Sequence, residues 1–152
     1  MQVNTYVEFM KLVKTLSLHK PEDNYSFEKA NRFISEFVQE SEIKHIYVKN
    51  IFNQEKGTEL FLFLEDKILI VMGTEQTTNV KMLKRKDIME MDFEETHYGV
   101  TNAIIKFRFP DREIMFESLN DSNQHWNPKY ISNIKDIFKF LNNSVYEERQ
   151  LS

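Results

Sequence analysis

Between Thr58 and Gly73 two apolar runs flank a short polar break: Leu60-Phe61-Leu62-Phe63-Leu64, then Glu65-Asp66-Lys67, then Ile68-Leu69-Ile70-Val71-Met72. The aromatic and β-branched content and the charged break predict a β-hairpin rather than a buried helix. Neither run alternates apolar with polar residues, so both faces of the hairpin require cover from elsewhere in the chain.

Before the hairpin, two stretches repeat at helical spacing. Thr5 and Glu8 form a capping-box pattern ahead of Phe9, Met10, Val13 and Leu16, which predicts a helix over 5–18. Ser26 as N-cap, with Phe27, Ala30, Phe33, Ile34, Phe37 and Val38 as a stripe, predicts a second helix ending near Glu40. From Glu42 the period becomes two, through Ile43, His45, Tyr47, Lys49 and Ile51, which reads as a strand closed by a turn over Asn53–Gly57. Beyond Gly73 come a short strand over Val80–Leu83, a Lys84-Arg85-Lys86-Asp87 break, and a strand over Ile88–Glu95. In that last strand Met89, Met91 and Phe93 oppose Glu90, Asp92 and Glu94. Gly99 marks a reversal, and strands over Ala103–Phe109 and Ile114–Phe116 meet at a Pro110-Asp111 turn.

After a polar loop from Asn120 to Trp126, Asn127 as N-cap and Pro128 at the first helical position open a final helix over 127–142. Tyr130, Ile131, Ile134, Ile137, Phe138 and Leu141 form its stripe, with Lys129, Ser132 and Asn133 opposite. From Asn143 the polar tail is expected to fray. The fold class that follows is α+β: two N-terminal helices, a seven-stranded antiparallel sheet or partly open barrel, and a C-terminal capping helix.

Seven short antiparallel strands followed by one amphipathic helix resemble the pleckstrin-homology (PH) superfold. The segment Leu62-Phe63-Leu64-Glu65-Asp66-Lys67-Ile68-Leu69-Ile70 is also similar to bacterial PH-like and GRAM-like modules, although Glu65 stands where Thr is usual. Leu83 to Met91 resembles the later strand pair of such modules. The resemblance spans residues 43–142 and implies a bent sheet closed by the last helix. It leaves the N-terminal helices to cover the outer face of the hairpin.

A chain of 152 residues, 41% hydrophobic and 13% aromatic, is expected to form one domain, with a helical pair over 1–41, a sheet over 42–118 and a helix over 127–142. Its 24 acidic against 20 basic residues give a net charge of -4, so no global field draws it to nucleic acid or anionic lipid. The absence of cysteine excludes disulfides, thiolate metal sites and cysteine nucleophiles. With no leader-like start and no apolar run approaching about 20 residues, a cytoplasmic location without membrane association is expected. The abundance of Lys, Ile, Asn and Phe suits a bacterial source.

Candidate chemistry is sparse. His19, His45, His97 and His125 show no local ligand spacing, and Glu94-Glu95-Thr96-His97 is the nearest approach to an acid–base or metal cluster. A run of that composition is more often a solvated loop, so no catalytic residue, metal or cofactor is expected. Lys81, Lys84, Arg85 and Lys86 form the basic cluster suited to an anionic headgroup or small anion. Trp126 is a candidate partner contact, against the plainer role of packing on the sheet. PH-like modules also capture peptides at a sheet edge without signature residues. The expected function is a non-catalytic PH-like binding or scaffolding module for a protein or peptide. The alternative is peripheral binding of anionic lipid or a small anionic ligand through Lys81–Lys86.

Overall fold

The computed structural model describes residues 24–50, 58–74 and 76–151. Two compact units divide the chain, residues 1–83 and 84–152.

The first unit contains helix α1 (Asn24–Phe37), a single 3-10 turn (Glu40–Glu42) and strands β1 (His45–Lys49), β2 (Glu59–Phe63), β3 (Lys67–Gly73) and β4 (Thr78–Lys84), the last ending on the first residue of the second unit. They form one four-stranded sheet in the order β1-β2-β3-β4. The expected hairpin is β2 and β3, paired with Leu60 opposite Val71 and Leu62 opposite Leu69. The Leu64 N–H donates to the Lys67 carbonyl at 2.9 Å, which closes a turn on Glu65 and Asp66 alone.

Directly opposed residues of an antiparallel pair share a face. Ile46, Leu62 and Leu69 therefore form one row, and Val48, Leu60 and Val71 the next. Ile34 of α1, Ile43 and Leu64 join these rows in one buried cluster, and α1 lies against β2 and β3. The opposite face carries Tyr47, Phe61 and Ile70 beside His45, Phe63 and Ile68, all buried as well. The unalternating runs thus correspond to strands covered on both sides.

The second unit begins with a 3-10 turn (Arg85–Asp87) and continues through β5 (Glu90–Thr96), β6 (Asn102–Phe109), β7 (Arg112–Glu117), a short helix α2 (Ser118–Asp121) and a long helix α3 (Asn127–Leu151). The strands form a three-stranded antiparallel sheet in sequence order. Its inner face sets Phe93, Ile105 and Phe116 in one row and Met91, Phe107 and Ile114 in another. α3 packs on β6 with Tyr130, Ile134, Ile137 and Leu141 buried. Phe93 meets Phe138 at 5.4 Å between ring centroids. Gly99 turns β5 into β6 with φ +77°, a conformation that favours glycine.

The structure corrects several expectations. The seven strands do not make a single sheet or barrel: they divide into sheets of four and three. The physical reason lies at Arg85–Asp87, where the Ile88 N–H donates back to the Arg85 carbonyl at 3.1 Å. The Met89 N–H next donates to Arg108 at 2.8 Å, so the ladder restarts on β6. In place of two N-terminal helices, one helix precedes β1 among the described residues. The helix over 5–18 and the Asn53–Gly57 turn lie outside the described residues. Phe37, assigned to the apolar stripe, is 71% exposed, with its ring 5.2 Å from Phe33.

At the other end, α3 continues past Asn142 to Leu151, through a stretch with no Gly or Pro to stop it. Asn133, placed on the polar face, is buried. It stands three residues after Tyr130 and four before Ile137, on the same side of the helix.

Leu62 has no exposed surface and sits at the centre of the cluster under α1. Leu62→Ala is expected to destabilise the protein by about 3 kcal/mol, measured as a shift in the urea unfolding midpoint; a loss below about 1 kcal/mol would contradict this packing.

Candidate functional site

The four cations that sit together in sequence are separated by the fold. Lys81, Lys84 and Lys86 are exposed, whereas Arg85 turns inward and is 7% exposed. Its guanidinium lies 4.0 Å from the centre of the Phe140 ring, and its Nη2 donates to the Phe140 carbonyl at 3.2 Å. A planar, weakly hydrated head on an apolar stem suits such a position better than an ammonium would. Arg85 thereby fixes the 3-10 turn to α3.

Lys81 and Lys84 belong to β4, the outermost strand of the four-stranded sheet. A polar turn feeds that strand: the Thr74 N–H donates to the Thr77 carbonyl at 2.8 Å, and the Thr77 N–H donates to Thr74 Oγ1 at 3.0 Å. Val80 and Leu83 are half-buried, Val80 against the α1 cluster. Thr78, Asn79, Lys81, Met82 and Lys84 are exposed. Among the described residues, no strand of that sheet lies beside the side of β4 turned away from β3. Sequence periodicity locates such a strand but carries no sign of its edge position, which is set by pairing between distant residues.

The Glu94–His97 run resolves into two faces. Glu94 points outward opposite Ile104, on a face where Glu90 pairs with Arg108 and Asp92 stands opposite Lys106. Glu95 points inward, where its carboxylate meets Lys135 Nζ of α3 at 2.6 Å and the exposed His97 Nε2 at 3.2 Å. The Lys135 hydrogen bond holds the Glu95 carboxyl below its ordinary range; burial opposes this, and the charges of Lys135 and then His97 reinforce it. Lys135 was not legible as a partner, because nothing local links residues 40 positions apart.

A polar network ties the end of this sheet to α2. Asn102 Oδ1 accepts from Ser118 Oγ at 3.1 Å and from the Leu119 N–H at 3.2 Å, while Ser118 Oγ accepts from the Ala103 N–H at 3.0 Å. The N–H of Glu117, the residue before α2, donates to Asp121 Oδ2 at 2.8 Å. Burial, then the charge of Asp121, pushes the Tyr130 hydroxyl far above the usual phenol range.

The cap before α3 is Asn123, whose Oδ1 accepts from the Trp126 N–H at 2.9 Å; Asn127 instead donates its Nδ2 to the Thr101 carbonyl at 2.8 Å. Trp126 is half-buried, with Lys129 Nζ 4.9 Å from its ring and His125 edge-on at 5.7 Å. His45 is buried in β1 opposite Phe63, and His19 lies outside the described residues. Among the described residues, no group of three His, Asp or Glu side chains gathers to hold a metal, and no helix is long and apolar enough to cross a membrane.

Residues 6–132 match the model of a family of proteins of unknown function, DUF3908, a match that runs across the division between the two units. No curated protein and no solved structure matches the chain.

Two outcomes follow. Arg85→Ala is expected to cost about 1–3 kcal/mol in unfolding free energy, because it removes a charge-assisted hydrogen bond and a ring contact, whereas Lys86→Ala changes stability by less than about 0.5 kcal/mol. Equal effects would contradict the inward placement of Arg85. For Glu95, the folded-state pKa lies below the unfolded value of 4.5, so its contribution is present above that pH and is lost as pH falls through the folded pKa. Unfolding midpoints of the protein and of Glu95→Gln are therefore expected to differ at pH 7 and to converge below the folded pKa; a gap that widens in acid would refute this assignment.

Proposed function

The chain belongs to the DUF3908 family, and from that premise we propose that it is a non-catalytic binding module that recognises a protein or peptide by adding an extended segment to the outer edge of β4. The observation that carries this reading is the exposed outer strand. Five of the seven β4 residues are exposed, and among the described residues no other strand of its sheet lies beside its far edge. Unpaired backbone groups on such an edge are a template for another strand, with affinity supplied by main-chain hydrogen bonds and selectivity by alternate side chains.

The succession of a four-stranded sheet, a three-stranded sheet and a C-terminal helix supports kinship with PH-like binding modules, on element order alone. The most developed titratable grouping, Glu95 with Lys135 and His97, is engaged in ion pairs that tie β5 to α3, which favours a structural role over an acid–base one. The setting proposed for the module is a bacterial cytoplasm.

Peptides selected on the immobilised full chain from a library of extended sequences supply the test. On binding, amide hydrogen exchange over Thr78–Lys84 is expected to slow by about tenfold or more, as for amides newly enclosed in a ladder. Selected peptides that bind while leaving β4 exchange unchanged would overturn strand addition at this edge.

A further inference from the structure

We infer that the segment captured by β4 is acidic, an inference that rests on the strand-addition reading above. The strand Thr78-Asn79-Val80-Lys81-Met82-Leu83-Lys84 carries two cations and no anion, in a chain whose net charge is -4. Lys81 and Lys84 are exposed, and among the described residues neither is matched by a carboxylate within ion-pair distance. The second sheet is arranged differently. Along its outer face the central cations Lys106 and Arg108 stand opposite Asp92 and Glu90 on β5, and Arg108 also opposite Glu113 on β7, so each cation of that face is met by a carboxylate within the sheet. The edge of β4 leaves its positive charge to whatever binds beside it.

The same two lysines argue against a second copy of this chain as the occupant. An antiparallel pairing of β4 with itself that engages all seven residues is centred on Lys81. It sets the two Lys81 side chains directly opposite each other, and like charges at that position are destabilising. Lysine on a sheet edge is a recognised device against self-association. An incoming strand with Asp or Glu opposite Lys81 and Lys84 turns that repulsion into attraction. Lys81 lies on the strand face of Asn79 and Leu83, and Lys84 on that of Thr78, Val80 and Met82, so the favoured partner carries two acidic residues three positions apart, one on each face, among β-branched residues.

The test titrates the full chain with three extended peptides of valine and threonine that carry, three positions apart, two glutamates, two glutamines or two lysines, followed by fluorescence anisotropy at low and moderate salt. The glutamate peptide is expected to bind roughly tenfold more tightly than the glutamine peptide, from two cross-strand charge pairs, and added salt should narrow the gap. The double variant Lys81→Gln/Lys84→Gln should abolish the gap, and Lys81→Glu/Lys84→Glu should reverse it in favour of the lysine peptide. Equal affinity for the glutamate and glutamine peptides would overturn the acidic preference and leave strand addition standing. Binding of none of the three would overturn both, as would a central proline that leaves the glutamate peptide's affinity unchanged. A chain that sediments with vesicles of anionic phospholipid, through the same lysines and without binding any peptide, would assign the charge to a lipid surface and overturn the proposal.

Discussion

The register of the β2–β3 hairpin is the constraint on which the first unit depends. The turn on Glu65 and Asp66 sets Leu62 against Leu69 and Phe63 against Ile68, and β1 takes its register from β2. A slip of one residue would exchange the two faces, moving the aliphatic rows out from under α1 and the aromatic rows into their place. Since both faces are buried, the slip would not simply expose apolar surface; it would replace branched side chains with flat rings under a helix that presents Ile34. Shape complementarity, added to hydrophobicity, is what makes the register unique. The polar turn limits the chain to one closure, and the packing rewards only that one.

The second unit secures its elements with a mixture of apolar and polar contacts. The inner face of its sheet is covered by the Tyr130–Leu141 stripe of α3, but the chain between β7 and α3 is held by hydrogen bonds among Asn102, Ser118, Glu117 and Asp121. These side chains satisfy the backbone groups of a short helix that cannot satisfy them itself. Glu95 and Lys135 add an ion pair between strand and helix.

The elements with strong local periodicity were legible in the sequence: the apolar hairpin, the alternating β5 and β6, the Gly99 and Pro110-Asp111 reversals and the stripe of α3. What was not legible depends on partners distant in the chain. The division into two sheets is decided by β5 choosing β6, and the Lys84–Asp87 run reads equally well as a turn within a continuous sheet. Arg85 looked like one of four equivalent surface cations, because the ring and carbonyl that bury it lie 55 residues away. Ser118-Leu119-Asn120-Asp121 carries a faint capping signal that the surrounding polar residues mask. In the candidate site, the basic stretch was visible as charge, whereas the open edge that gives Lys81 and Lys84 a use was visible only once the strand order was known.

The anchoring of Arg85 on Phe140 also bears on where a minimal folding fragment may be cut. The family match ends at Ser132, within the second turn of α3, and a boundary drawn there would retain Arg85 while discarding both the ring it stacks on and the carbonyl it donates to. It would also discard Ile134, Ile137 and Leu141, which close the second unit's core. The stretch over which sequence similarity is detected is therefore shorter than the stretch that the second unit uses to hold its first turn, and a fragment intended to fold should extend through Leu141.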